Sequence, residues 1–215
     1  TRRREWSNAQ FWSRIFRTKN IIKMVKEFEN KNEWALILGG SSGLGLATAK
    51  KLAKHGMNIC VVFRNSRSQL DQMKKDFREI TQVSVGFVSF NKDAFQPEKR
   101  TEIIEDLKKE LDGGKIKVLV HSVAKGNLKP MVSDSMTVLQ TDDFQLTIQA
   151  MGISLYDWVK AVFEAKLFSD DGRVVSFTSE GNSKAFRNYA AVSAAKVTLE
   201  AITRNIALEF ANFGI

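Results

Sequence analysis

The sequence predicts an α/β fold, a doubly wound parallel sheet with helices on both of its faces. From residue 33 onward, strand-like segments alternate with helix-like segments, as they do in parallel sheets that are covered by helices. A glycine-rich turn lies at the first junction between a strand and a helix. With 215 residues, 43% of them hydrophobic, the chain is large enough for one domain with a substantial core.

The candidate strands are short segments rich in β-branched and aromatic residues, at 33–39, 57–63, 82–90, 116–122 and 172–178. The candidate helices lie at 43–55, 67–80, 97–111, 142–167 and 188–211. In the first and last of these helices the apolar residues recur at close to 3.6 positions, with charges on the other face. Glycines at 56, 113 and 114 mark the ends of two helices.

The first 32 residues stand outside this pattern and form a basic, amphipathic extension to a domain at 33–215. Nine basic and three acidic residues lie in 1–31, so this segment carries most of the net charge of +9. Five apolar side chains give it one apolar side: Trp6, Phe11, Trp12, Ile15 and Phe16. We favour an extension that packs on its own domain or on a neighbouring subunit. The second interpretation is a helix that lies on a membrane surface or docks on a partner, and the third is a disordered tail.

The remaining composition argues against several classes of protein. No apolar run reaches the roughly 20 residues that a membrane span needs, and residues 1–31 lack the apolar core of a secretory signal. A single cysteine, Cys60, cannot form an internal disulfide, so a cytoplasmic location fits best. The two histidines, His55 and His121, do not form a metal-ligand cluster. We expect neither a metal nor a nucleic acid as partner.

The glycine-rich turn predicts a site for a dinucleotide. Residues 38–45 read LGGSSGLG and connect the first strand to the first helix. A pyrophosphate needs free backbone N–H groups at a helix N-terminus and no side chain in its way. Gly39 supplies the tight turn, Gly43 the close approach of the backbone to the pyrophosphate, and Gly45 the packing of the helix on the strand. This is the arrangement of a Rossmann-like βαβ unit. Ser41, Ser42 and Leu44 complete the candidate phosphate site.

The residues after the second strand favour NADPH over NADH. An NAD site places an acidic residue about 20 positions after the glycines, to bind the ribose hydroxyl. Residues 46–70 contain no Asp or Glu, and the second strand is followed by RNSRS. A guanidinium suits a 2′-phosphate, with Arg64 as the first candidate, Asn65 beside it and Arg67 as the second. The alternative is that both arginines are simply solvated.

The spacing GxxxGxG resembles that of the short-chain dehydrogenase/reductase family, although Leu38 stands where that family usually has threonine. The resemblance covers residues 33–215 and implies cofactor contacts at two further strand ends, at Asn91 and Lys92 and at Ser122, Val123 and Ala124. The segment His121–Ala124, HSVA, resembles that of enoyl-acyl carrier protein reductases. We interpret His121 as support for this loop rather than as a catalytic base.

The last predicted helix carries the candidate catalytic pair, Tyr189 and Lys196. A tyrosine usually precedes the lysine by four residues in this family, but position 192 is valine and Tyr189 precedes Lys196 by seven. Seven residues at about 100° each bring both onto nearly the same helix face, roughly 10 Å apart along the axis. In conjugate reduction, hydride goes to the β carbon and charge develops on a carbonyl oxygen two carbons away. A donor for that oxygen must therefore stand farther from the hydride path.

The Y-x6-K spacing resembles that of divergent enoyl-acyl carrier protein reductases. The resemblance implies that Tyr189 donates to the thioester oxygen and that Lys196 binds the ribose hydroxyls of the cofactor. Ser179 falls at the position of the family's catalytic serine relative to Lys196, and its role stays open. Met151 stands where ordinary members have an asparagine, which suits an enoyl reductase and equally an inactive relative.

The function expected from these features is NADPH-dependent reduction of trans-2-enoyl thioesters in fatty-acid synthesis. The alternatives are a carbonyl or alcohol oxidoreductase, such as a β-ketoacyl reductase, and an inactive cofactor-binding relative. We expect an acyl thioester substrate, carried on acyl carrier protein, and a homo-oligomer, either dimer or tetramer. The family normally enters a further strand after residue 215, so we expect the domain to lack its C-terminal strands here.

Overall fold

The computed structural model describes residues 26–65 and 70–215. Within them, five parallel strands form one sheet in the order β3-β2-β1-β4-β5. The strands are β1 (Glu33–Leu38), β2 (Asn58–Phe63), β3 (Phe87–Asn91), β4 (Lys115–His121) and β5 (Phe168–Ser176). The order reverses direction between β1 and β4, and the predicted doubly wound α/β fold, with its Rossmann-like arrangement, is confirmed.

The helices that connect these strands are α1 (Gly43–Lys54), α2 (Leu70–Thr81), α3 (Pro97–Glu110), α4 (Thr141–Ile148), α5 (Ser154–Glu164) and α6 (Ala190–Glu209). A π-helical turn, Gln149–Ile153, joins α4 directly to α5. Short 3₁₀ helices occupy Glu180–Asn182 and Ala211–Phe213.

Both faces of the sheet are covered because alternate residues of each central strand enter different apolar clusters. Ala35 and Ile37 of β1 pack with apolar residues of α1 and α2. Leu36 and Leu38 of the same strand pack on the opposite side, with apolar residues of α3, α5 and α6. Strands β1 and β2 are almost entirely buried, which explains their continuous apolar sequences.

Three predicted elements differ from those observed by more than one or two residues at a described end. The strand predicted at 82–90 begins only at Phe87, because the backbone N–H groups of residues 82–84 donate to carbonyls at the end of α2 and so continue its last turn. The strand predicted at 172–178 begins earlier, at Phe168, and contains a shift of register against β4. The helix predicted at 142–167 is two helices with a π turn between them. At that turn Gly152 lies against α6, where an added Cβ would be 3.0 Å from Thr198 Cγ2.

The described end of the N-terminal extension lies against the domain. The backbone N–H of Phe28 donates to the carbonyl of His55 over 3.0 Å, and its ring packs on the cluster beneath α1. The amphipathic residues from Trp6 to Phe16 lie outside the described residues. Among the helices of the described ranges, none has the length and apolarity to cross a membrane.

A buried histidine links the end of β4 to the start of α5. Ser154 Oγ donates its single proton to the carbonyl of Ala150, at 2.7 Å. The contact of 2.7 Å between His121 Nε2 and Ser154 Oγ therefore requires that His121 is the donor there. This places a proton on Nε2, while Nδ1 is buried and has no hydrogen-bond partner among the described residues. Burial, together with the nearby charge of Lys196, lowers the pKa of His121 to about 3.

We predict that His121 makes the protein sensitive to acid. The ring stays neutral in the folded state but titrates near its ordinary value of 6.5 in the unfolded state. Stability is therefore fully present above that pH and falls as the pH decreases, by up to about 1.4 kcal/mol per pH unit. Urea unfolding of the parent and of His121→Gln between pH 4 and 6 measures this, and the parent should have the steeper dependence. Above pH 7 the two dependences should coincide. If the free energy of unfolding changed equally with pH in the two proteins between pH 4 and 6, the assignment of a neutral His121 would be refuted.

Candidate active site

A cavity of about 880 Å³ opens at the carboxyl ends of the strands, where the strand order reverses. Segments that end or follow all five strands contribute to its wall, together with residues of the π turn and α6. Of the residues predicted for the site, it brings together Gly39, Ser41, Ser42, Gly43, Leu44, Arg64, Asn65, Lys92, Ser122, Val123, Ala124, Ser179, Tyr189 and Lys196. Gly45 and Asn91 stand behind this lining, and Arg67 lies outside the described residues.

The backbone of the glycine turn leaves room for a diphosphate. A Cβ on Gly39 would overlap the carbonyl oxygen of Ser122, and one on Gly45 would overlap that of Gly39. Side chains are thus excluded where the turn crosses the end of β4. At Gly43, by contrast, no atom lies within 4 Å of the Cβ position, and the φ of +55° favours glycine. Open space in front of the first turn of α1 is what a phosphate group requires, so these residues fit a dinucleotide.

Hydrogen bonds connect this turn to the two neighbouring strand ends. The Ser41 hydroxyl donates to Asn65 Oδ1 over 3.0 Å. Asn65 in turn donates its backbone N–H to Asn91 Oδ1, at 3.2 Å. Asn91 therefore supports the cavity from behind, through Asn65, although it does not line the cavity itself.

An acidic residue that the sequence analysis did not select lies at the same end of the cavity. Asp93 lines the wall and accepts a hydrogen bond of 2.7 Å from Arg64, whose side chain is 68% exposed. Its other carboxylate oxygen accepts the backbone N–H of Phe95 at 3.1 Å. Asp93 comes two residues after the end of β3, and that position was the available signal. The sequence could not show that it pairs with Arg64.

Other lining residues were not predicted for the site: Ala94, Phe95, Lys125, Phe177 and Thr178, together with Met151, which the sequence analysis noted only at the family's asparagine position. Most of them follow the strand ends by a few residues, so a wider window at each strand end would have included them. Lys125 lies over the ring of Phe95, with its Nζ 4.8 Å from the ring centroid, and this contact closes the wall between the loops after β3 and β4.

Helix α6 carries Lys196 into the cavity, and Tyr189 immediately precedes its first residue. Lys196 is only 6% exposed, and its Nζ donates to the carbonyl of Phe177 over 2.6 Å, just beyond β5. Burial lowers the pKa of its ammonium group. Tyr189 is the N-cap residue of α6, and its carbonyl accepts the N–H of Ser193 at 2.8 Å. The two groups thus share one cavity: the phenol of Tyr189 lies at the start of the helix, and the ammonium group of Lys196 comes from about two turns along it.

The segment after β5 forms the wall beside Tyr189. A Cβ on Gly181 would lie 2.6 Å from Tyr189 Cε1, so the backbone of the 3₁₀ helix touches the phenol ring directly. Ser179 is the N-cap residue of this 3₁₀ helix, although its side chain makes no capping hydrogen bond, and it lines the cavity. Its Oγ is buried and, among the residues that the structure describes, has no hydrogen-bond partner.

Comparisons with known proteins agree with this geometry. A family model described as enoyl-(acyl carrier protein) reductase matches residues 39–215. A very-long-chain 3-oxoacyl-CoA reductase-like protein of Arabidopsis thaliana is 27% identical over 203 residues, which cover 92% of this chain and 61% of that protein. A 1-cyclohexenylcarbonyl-CoA reductase of Streptomyces collinus is 25% identical over 187 residues, covering 86% of this chain and 62% of the relative.

The crystal structure of a dehydrogenase/reductase from Sinorhizobium meliloti has the same fold. It superposes with a TM-score of 0.74 at 21% identity, covering 88% of this chain and 71% of the other. The chain spans about three fifths of the length of the two reductases that it matches in sequence. Since the family model covers most of the sequence, this chain belongs to the short-chain dehydrogenase/reductase family, whose members are oxidoreductases that use nicotinamide cofactors.

Proposed function

We propose that this protein uses NADPH to reduce the double bond of trans-2-enoyl thioesters, as an enoyl-acyl carrier protein reductase of fatty-acid synthesis. The observation that supports this most is the placement of Tyr189 at the start of α6, in the same cavity as Lys196. The bound nicotinamide would supply a hydride to the substrate. The residues of the chain must then orient the thioester and stabilise the negative charge that develops on it.

The position four residues before Lys196 does not supply a donor. Val192 is buried and packs with Ala150, Met151 and Ala195 between α6 and the π turn. The phenol hydroxyl that lines the cavity therefore comes from Tyr189, about one turn farther from Lys196. Hydride transfer to a β carbon places charge on the thioester oxygen, two carbons away, and a donor set back by one turn suits that oxygen.

Lys196 supplies buried positive charge and hydrogen-bond donors. One of the three N–H bonds of its ammonium group is used by the Phe177 carbonyl, which fixes the direction of the side chain. The remaining two are available for the ribose hydroxyls of a cofactor in the cavity. Because His121 is neutral, it adds no second positive charge near this ammonium group.

Carbonyl reduction is the second candidate, and Ser179 is the observation that favours it. A buried hydroxyl without a protein partner at the cavity wall would be available to bind a ketone oxygen. The Arabidopsis relative is also named for 3-oxoacyl thioesters. The two candidates use the same cavity and differ in whether the donor to the developing charge is Tyr189 or Ser179.

We predict that Tyr189→Phe abolishes most enoyl reduction. Loss of one donor to the developing oxyanion lowers kcat by about 100-fold to 1000-fold. The measurement is oxidation of NADPH by the full-length protein with crotonyl thioesters and, separately, with acetoacetyl thioesters. Tyr156→Phe is the matched control and should keep parental rates, because it removes a hydroxyl outside the cavity and retains the ring that lines the groove between α5 and α6. Turnover of the β-ketoacyl thioester alone would establish the second candidate instead, and loss on Ser179→Ala would then identify its donor.

The preference for NADPH follows from the charge at the end of β2. Arg64 lines the cavity there, and the described residues between α1 and the gap at 66–69 provide no carboxylate for a ribose hydroxyl. Asp93 pairs with Arg64 and leaves part of the guanidinium exposed to a ligand. A 2′-phosphate would add a charge-assisted contact to this group.

We predict that Arg64→Gln weakens NADPH binding by about 10-fold and leaves NADH binding nearly unchanged, because only NADPH carries the 2′-phosphate. Fluorescence titration of the reduced nicotinamide gives both dissociation constants without substrate. Arg78→Gln, on the exposed side of α2, serves as the control for a general loss of positive charge. Equal weakening for the two nucleotides would refute recognition of the phosphate by Arg64.

The proposed partners are an acyl carrier protein as donor of the thioester and further copies of the chain. An apolar groove of about 350 Å³ between α5 and α6, lined by Ile153, Tyr156, Ile202, Ile206 and Phe210 among others, supports a homo-oligomer. The basic residues of the extension suit an acidic carrier protein by charge, and those before residue 26 lie outside the described structure.

A further inference from the structure

We infer that Glu200 is a positioning residue of this active site: it holds the segment from Thr178 to Asn182 on α6 and thereby fixes the phenol of Tyr189. Glu200 lies one turn beyond Lys196 and does not line the cavity. Its effect on the reaction is therefore exerted through the segment that it holds. The inference rests on the proposed function only in taking Tyr189 as the group that touches substrate.

Two side chains of this segment converge on a single oxygen of Glu200. The hydroxyl of Thr178 and the amide of Asn182 both donate to Glu200 Oε1, the second over 2.5 Å. These two bonds span the segment, since one donor precedes the 3₁₀ helix Glu180–Asn182 and the other ends it. They also hold the pKa of Glu200 below its ordinary value, so the carboxylate stays charged and remains a strong acceptor.

Helix α6 thus binds two successive residues after β5 through side chains one turn apart. Lys196 binds the carbonyl of Phe177, at 2.6 Å, and Glu200 binds the hydroxyl of Thr178. The bond from Lys196 alone would let the rest of the segment pivot about Phe177. The second attachment, at Glu200, removes that freedom, because two separate anchors on a rigid helix determine the direction of the backbone between them.

The segment transmits this constraint to Tyr189 through direct contact at Gly181. An added Cβ on Gly181 would be 2.6 Å from Tyr189 Cε1 and 2.8 Å from Cδ1, so nothing separates the backbone from the phenol ring. The ring also meets Phe186 edge-on, with ring centroids 5.9 Å apart. Phe186 is itself about half exposed. The Gly181 backbone is therefore the firmer of these two contacts, and displacement of the segment would move the phenol.

The test compares Glu200→Ala with Glu200→Gln in the full-length protein. Both hydrogen bonds end on Oε1, and the glutamine side chain keeps a carbonyl oxygen there, whereas alanine removes the acceptor. We expect Glu200→Ala to lower kcat with crotonyl thioester at least 10-fold while the dissociation constant for NADPH stays within about 2-fold. Glu200→Gln should restore kcat to within about 3-fold of the parent.

A second readout follows Tyr189 without any substrate. The sequence contains two tyrosines, Tyr156 and Tyr189. In a Tyr156→Phe background, protein labelled with 3-fluorotyrosine should show a ¹⁹F resonance that is missing from the Tyr189→Phe variant and so belongs to Tyr189. We expect Glu200→Ala to shift or broaden this resonance and Glu200→Gln to leave it in place.

Two further variants make the outcome decisive. Asn182→Ala removes one of the two hydrogen bonds from the opposite side and should reproduce the ¹⁹F change if Glu200→Ala does not fold. Glu164→Ala, at an exposed carboxylate that pairs with Lys160 on α5, is the control and should change neither readout. A parental resonance in both Glu200→Ala and Asn182→Ala, or equal losses of kcat in Glu200→Ala and Glu200→Gln, would overturn the inference. Absence of enoyl turnover in the parent would refute the proposed function alone, since the resonance still tests Glu200.

Discussion

The close crossing of the glycine turn and the end of β4 is the constraint on which the site depends. The Cβ of any other residue at Gly39 would occupy the space of the Ser122 carbonyl oxygen, and at Gly45 it would occupy that of Gly39. These contacts press α1 onto the sheet where the strand order reverses between β1 and β4. A parallel sheet brings the carboxyl ends of all its strands to one edge, and the cavity forms because this crossing leaves open space in front of Gly43.

The charge of Lys196 gives the opposite side of the cavity its chemical character. Its ammonium group is buried and bound to a backbone carbonyl, and within the described ranges no carboxylate forms an ion pair with it. Burial of such a charge costs free energy, which appears as its lowered pKa. An uncompensated positive charge favours a ligand or transition state that is negative. Both a nucleotide cofactor and the enolate of a reduced thioester meet that requirement.

The sequence predicted the residues that local rules determine, and it missed those that depend on contacts between distant elements. The continuous apolar sequence of β1 and the glycine turn follow from the chain itself, so the predicted sheet is confirmed, and most of the residues predicted for the site lie in the cavity wall. The π turn depends on how α6 packs against Gly152, which no local pattern encodes. Asp93 and Glu200 were missed for the same reason, since each hydrogen-bonds a residue more than 15 positions away in the sequence.

Asp93 refines the argument about the cofactor more than it weakens it. Arg64 and Asp93 form an ion pair at the open end of the cavity, and the arginine is mostly exposed. The guanidinium end of this pair is exposed, so the 2′-phosphate of the proposed cofactor would compete with Asp93 for Arg64. Asp93 is held in turn by the backbone N–H of Phe95, and its bond to Arg64 keeps the guanidinium at the cavity wall. An arginine that is already held at the wall would lose less side-chain entropy when it binds the proposed phosphate.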